Sequence, residues 1–164
     1  MKTPAFTASV LKVATHRYVA LAFRLYLGCL FIYASMYKIN YAAEFAESIA
    51  AYQLVPYWGV NVMTLVMPWL ELICGILLVA GIKSKSAVTV IGGLLALFSI
   101  TVLVTLLRDI PIGCGCFSSV EEPMTPLTLL RDLVWLAMSI HVYFFDAALH
   151  LERGPAVTLK DVPL

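Results

Sequence analysis

The chain has 164 residues, of which 62% are hydrophobic and 13% charged, with a formal net charge of +1. So few charges cannot shield that much apolar surface from water, which excludes an ordinary soluble domain and indicates a membrane-embedded class. The near-neutral charge and the lack of a basic run exclude the electrostatic footprint of a nucleic-acid binder, and at about 20 residues per crossing the length admits one bundle of four spans without a separate soluble domain.

Residues 1–17 are mixed and basic, with Lys2, Lys12 and Arg17, and form a predicted N-terminal segment outside the bilayer. The apolar run 18–39, interrupted only by Arg24 and Lys38, is the first predicted span. It exceeds the apolar core of a signal peptide and no convincing small-x-small cleavage site follows, so it is read as retained. Over 41–55, Tyr41, Phe45, Ile49 and Tyr52 recur at helical spacing with Glu44 and Glu47 opposite. That pattern predicts a short amphipathic helix lying in the interface. Pro56, Tyr57 and Trp58 end it, the two aromatic rings suiting the headgroup boundary.

The second span, 58–82, contains Pro68 and a single acid, Glu71, and is closed by Gly81 and the pair Lys83/Lys85 in a tight turn. The third, 87–107, carries no charge and stops at Arg108-Asp109-Ile110-Pro111, where proline cannot continue the helical ladder. A loop over 108–126 follows with Gly113-Cys114-Gly115-Cys116-Phe117 at its centre. The fourth span, 127–149, has Arg131 and Asp132 in its first turns, and a polar tail occupies 151–164. The predicted fold is an all-α integral membrane protein: a four-helix transmembrane bundle over 18–150 with an interfacial helix between spans one and two.

Basic residues are retained on the cytoplasmic side. One side collects Lys2, Lys12, Arg17, Lys83, Lys85, Arg153 and Lys160, the other Lys38, Arg108 and Arg131 with most of the acids. Both termini are therefore expected in the cytoplasm and the Cys-Gly-Cys loop outside, where disulfides persist.

Cys114 and Cys116 can bond only if the backbone bends sharply, and Gly115 supplies that freedom. So short a ring gains only about 1.6 kcal/mol of loop-closure entropy before strain, which makes it a poor structural crosslink and an easily reduced one. A redox pair is the favoured reading. Half of a metal site and unreactive thiols stand beside it; no further ligand is adjacent, since His16, His141 and His150 fall on or toward the cytoplasmic side, and no metal centre is predicted. Arg108 and Arg131 bracket the loop as candidate stabilisers of a thiolate or a bound anion, or as snorkelling helix ends.

Charges within a span need a partner or a function. From the cytoplasmic end, Arg24 is about 9 Å deep and Glu71 about 16 Å, so the two are expected to pair between helices, with a proton or quinone-headgroup site as the alternative. Cys29 and Cys74, at about 16 and 12 Å, are read as small hydrophobes or, alternatively, as a second buried dithiol. Gly28, Gly75, Gly92 and Gly93 are read as packing positions.

These residues together resemble the MauE/DoxX-like family of redox-associated membrane proteins. The resemblance covers about 20–135 and rests on Arg24 and Gly28 with Lys38 at the end of span one, on Phe45, Tyr52 and Pro56, on Pro68-Trp69-Leu70-Glu71-Leu72 with Gly75, on Gly113-Cys114-Gly115-Cys116-Phe117, and on Leu130-Arg131-Asp132. It implies extracytoplasmic thiol-disulfide chemistry in the bacterial cytoplasmic membrane. MauE-type members are linked to maturation of the periplasmic methylamine dehydrogenase beside a thioredoxin-like partner, and DoxX-type members to quinone-linked sulfur oxidation. Ser118 stands where the family often has glycine, which leaves the subgroup and client open. The leading expectation is a thiol-disulfide oxidoreductase passing electrons between a thioredoxin-like partner and a membrane quinone or a transmembrane relay. The alternatives are a noncatalytic membrane subunit of a larger redox complex and a DoxX-like sulfur oxidoreductase component.

Overall fold

The computed structural model describes residues 17–108 and 125–146. The Cys-Gly-Cys segment with Cys114 and Cys116 lies outside the described residues, as do 1–16 and the tail 151–164. Five helices and no strand occur among the described residues: α1 (Arg17–Asn40), α2 (Ala42–Ala51), α3 (Tyr57–Ala80), α4 (Ser84–Leu107) and α5 (Pro126–Phe145). All but α2 are long and apolar enough to cross a membrane; a helix of 24 residues, such as α3, reaches about 36 Å against some 30 Å of hydrocarbon. The protein is a four-helix membrane bundle, as expected.

Several residues with hydroxyl groups are tolerated inside these helices because they turn back on their own backbone. Thr64 donates to the Val60 carbonyl at 2.8 Å, Thr105 to Thr101 at 2.9 Å and Ser139 to Leu136 at 2.7 Å, so these hydroxyls are satisfied without water. The α3–α4 turn follows the expected signals. Gly81 is left-handed (φ 72°), and the Ile82 N–H donates to the Leu77 carbonyl at 3.0 Å, capping the last turn of α3. α4 starts at Ser84, three residues before the expected 87, because Lys83 (φ 46°) already completes the reversal. α5 ends at Phe145: the backbone becomes extended at Asp146, whose carboxylate accepts from Arg24; positions 147–149 of the expected span lie outside the described residues.

α1 and α3 run antiparallel, and two glycines set their separation. A Cβ at Gly28 would lie 2.6 Å from a Val79 methyl and 3.1 Å from the Gly75 carbonyl oxygen; one at Gly75 would lie 3.0 Å from the Gly28 oxygen. Only hydrogen fits at either place, so the backbones touch. A Cβ at Gly92 would lie 3.1 Å from the Ser139 hydroxyl oxygen, whereas one at Gly93 would meet nothing within 4 Å, so Gly93 is no packing position. α4 packs chiefly on α5, and α1 also touches α5. Leu27, Phe31, Cys74, Leu78, Val88, Ile91 and Val142 fill the centre. Outward-facing Leu65, Val66, Ile73, Ile76, Leu103 and Phe144 remain exposed, an apolar perimeter suited to lipid rather than water.

α2 folds under the end of the bundle opposite the start of α1. Phe45, Ile49 and Tyr52 are buried and Glu44 and Glu47 exposed, as the periodicity predicts. Tyr41 departs from it: it precedes the first turn (φ −119°), is half exposed and stacks on Tyr37 with ring centroids 4.9 Å apart. A residue ahead of the first helical turn does not share the face that the 3.6-residue period assigns to it.

Candidate functional site

A cavity of about 440 Å³ opens between α1, α2, α3, α4 and α5, within the usual range for small-molecule sites. Its walls are apolar: Leu30, Phe31 and Ala34 of α1, Phe45 and Ile49 of α2, Met63 and Met67 of α3, Leu94 and Phe98 of α4, and Trp135 of α5. Three charged side chains interrupt this lining, Lys38, Glu71 and Asp132.

The first two are joined. The Lys38 ammonium donates to both Glu71 carboxylate oxygens, at 2.6 and 2.8 Å, and lies 5.1 Å from the centre of the Phe45 ring. This corrects the expected pairing of Glu71 with Arg24. The Gly28/Gly75 contact puts Gly75 level with about Leu30. Glu71 is then one turn away, level with Ala34, about 6 Å along the axis from Lys38 and about 15 Å from Arg24. Counting from the span ends could not reveal that offset between helices. Arg24 instead reaches Asp146 at the far end of α5, at 3.1 and 3.2 Å, both side chains 2% exposed. His141 sits beside that pair between the rings of Phe23 and Phe145.

Asp132 is the unusual member. Its side chain is 1% exposed, and neither carboxylate oxygen has a hydrogen-bond partner; the nearest cation, Arg131 Nε, stands at 3.7 Å. Arg131 spreads over the Trp135 ring, 4.8 Å from its centre. A carboxyl buried without hydrogen bonds costs several kcal/mol, so its place at the cavity wall is a functional signal rather than a packing solution.

Tyr52 lines the same end. Burial pushes its phenol up from the ordinary tyrosine value, and the Asp132 carboxylate adds to the rise. The folded-state phenol therefore keeps its proton to higher pH than the unfolded one. Its burial contributes stability fully below about pH 10, and that contribution is lost as pH rises further. Thermal unfolding in detergent is expected to show the midpoint of the wild type falling above pH 10 more steeply than that of Tyr52→Phe; equal slopes would place the alkaline sensitivity elsewhere.

Arg108 and Arg131, expected to bracket the Cys-Gly-Cys loop, stand at the exit of α4 and the first turns of α5, and Arg108 donates to the Tyr52 carbonyl at 3.4 Å. They therefore flank the chain ends from which segment 109–124 departs and returns. Cys29 and Cys74 lie within about 3 Å of one level, but both are free: Cys29 is exposed on the outer face of α1 and Cys74 buried in the core. Sequence reasoning missed the cavity, the pairing of Lys38 with Glu71, Asp146, and the isolation of Asp132. Lys38 and Asp132 were visible as charges within apolar runs, but only their three-dimensional neighbours separate a helix-end charge from a site.

The sequence profile described as methylamine utilisation protein MauE matches residues 16–145. Proteins named methylamine utilization protein MauE are similar to the chain. That of Paracoccus denitrificans is 29% identical over 74% of this chain and 66% of its own length. That of Methylorubrum extorquens is 30% identical over 86% and 74%, and that of Methylophilus methylotrophus 31% identical over 82% and 70%. No solved structure matches the chain. A profile that spans all five helices of this bundle places the chain in the MauE family.

Proposed function

We propose that the protein is a thiol-disulfide redox protein of the bacterial cytoplasmic membrane that serves methylamine utilisation by supporting maturation of a periplasmic redox enzyme. Cys114 and Cys116 exchange with a thioredoxin-like protein outside, and the electrons pass to a carrier within the membrane. The observation that carries this reading is the Gly-flanked Cys-Gly-Cys motif within the segment that joins Arg108 of α4 to Thr125 at the head of α5. Both ends of that segment stand at the bundle end where Tyr52 and Arg108 meet. The names of the relatives supply the methylamine connection. The bias of Lys and Arg puts this end outside and both termini in the cytoplasm.

Exchange proceeds through a mixed disulfide: one thiolate attacks the partner's disulfide or receives its attack, and the second resolves the intermediate. Arg108 and Arg131 favour the thiolate form. Replacing the resolving cysteine is expected to trap the partner. Cys114→Ser and Cys116→Ser variants, isolated from cells under non-reducing conditions, should yield one covalent complex with a thioredoxin-like protein that is released by reductant. Absence of any complex in both variants, with normal assembly of the client enzyme when both thiols are gone, would leave a noncatalytic membrane subunit instead.

A further inference from the structure

We infer that the cavity is the binding site for the headgroup of a membrane quinone, which takes the electrons of the Cys114/Cys116 dithiol; the electron supply, though not the binding, rests on the function proposed above. Four observations lead there. First, the cavity is entered from the lipid side. Its lining includes Leu97 and Ile100 of α4, both on the exposed surface of the bundle and about 15 and 10 Å below the end of that helix, so the ligand is one that dissolves in hydrocarbon. Second, its walls offer aromatic faces, Phe31, Phe98 and Trp135, suited to a flat apolar ring.

Third, polar groups come from separate helices: the Lys38–Glu71 pair between α1 and α3, and Asp132 on α5. An acyl chain would need none of them, whereas a ring with an oxygen at each edge uses both. Fourth, Asp132 has two buried oxygens without a hydrogen-bond partner. As a carboxylic acid it donates to a quinone oxygen, and as a carboxylate it accepts from the hydroxyl of the quinol. One residue thereby serves both redox forms and carries a proton between them.

The balance closes with these groups. Two S–H bonds break at Cys114 and Cys116 and one S–S bond forms, releasing two electrons and two protons. The quinone takes both electrons, and its two carbonyl oxygens become hydroxyls. One of those protons passes through Asp132, so that residue is catalytic for the transfer, while the Lys38 ammonium offers a hydrogen bond to the opposite oxygen.

The full chain in phosphatidylcholine nanodiscs, probed with an azido-ubiquinone photolabel and with decyl-ubiquinone as competitor and substrate, tests the assignment. Labelling is expected in peptides covering 30–38 and 132–135, suppressed by decyl-ubiquinone and not by oleate. Thr101→Phe, which fills the cavity, should lower it at least tenfold. Asp132→Asn keeps the shape and a donor but cannot release a proton, so it should bind within threefold of wild type and reduce decyl-ubiquinone at least tenfold more slowly. Cys114→Ser/Cys116→Ser should label as wild type. Labelling that oleate suppresses equally, or that survives in Thr101→Phe, overturns the site; unchanged quinone reduction in Asp132→Asn overturns its role. Trapping of a partner without competed labelling sinks the quinone site alone, whereas competed labelling without trapping upholds the site and sinks the thiol-disulfide function.

Discussion

Gly75→Leu is expected to leave little folded protein. The position has no room for even one carbon: a Cβ would sit 3.0 Å from the Gly28 carbonyl oxygen, 3.2 Å from the Ile32 nitrogen and 2.9 Å from an Ile32 side-chain atom. Two of those three neighbours are backbone and cannot rotate away, so α1 and α3 must separate. Parting them also detaches Lys38 from Glu71 and opens one wall of the cavity. Strain and lost packing together should amount to more than about 3 kcal/mol, the upper range for an overpacked core. Gly93→Ala is the control, since its Cβ meets nothing within 4 Å, and should change stability by less than about 0.5 kcal/mol. Detergent-solubilised yield and thermal midpoint read both. A Gly75→Leu protein as stable as wild type would show that the two helices do not meet at these glycines.

Glu71→Gln is expected to cost about 3–5 kcal/mol, the usual penalty for breaking one side of a buried ion pair. The loss arises less from the missing attraction than from the Lys38 ammonium left beside the Phe45 ring, at the wall of an apolar cavity, without its carboxylate. Lys38→Met should therefore rescue part of it. A double-mutant cycle between positions 38 and 71 should return a coupling above about 1 kcal/mol, while the cycle between 24 and 71 should be additive within about 0.5 kcal/mol. Reversal of those two results would restore the partner that span depths alone suggest. The Arg24–Asp146 pair is more deeply buried and ties the first span to the end of the last. Its carboxylate belongs to the residue at which α5 ends, so its loss should free that terminus as well as a charge.

The relation between these two pairs shows where sequence reading stops. Each charge was visible as an interruption in an apolar run, and the rule that such charges find partners held for Arg24, Lys38 and Glu71 alike. Partner choice depends on the axial offset between helices, and that offset is set by the contact of Gly28 with Gly75. Cys29 and Cys74 illustrate the complementary limit. Their depths match, yet one faces outward and the other inward, because rotation about each helix axis follows from packing rather than from depth.

Asp132 carries the same lesson for function. In sequence it is one of two adjacent charges in the first turns of the fourth span, with nothing to set it apart from Arg131. In the fold its neighbour Arg131 is drawn over Trp135, and the carboxylate is left at the wall of an apolar cavity with only a 3.7 Å ion-pair contact. The proposed exchange at Cys114 and Cys116 and the proposed quinone site thus have different origins, one in a local motif and one in the convergence of five helices.

Sequence by itself determined the membrane class, the four spans, the amphipathic helix between the first two, the tight turn at Gly81 and the family. All of these follow from the composition of contiguous segments, from periodicity within one element or from the chemistry of a short motif. Tertiary structure decided which charges pair, which glycines touch, which thiols face inward, and that a lipid-facing cavity with an orphaned carboxyl exists at all. Those features depend on the relative rotation and translation of helices, which no pattern within a single helix encodes.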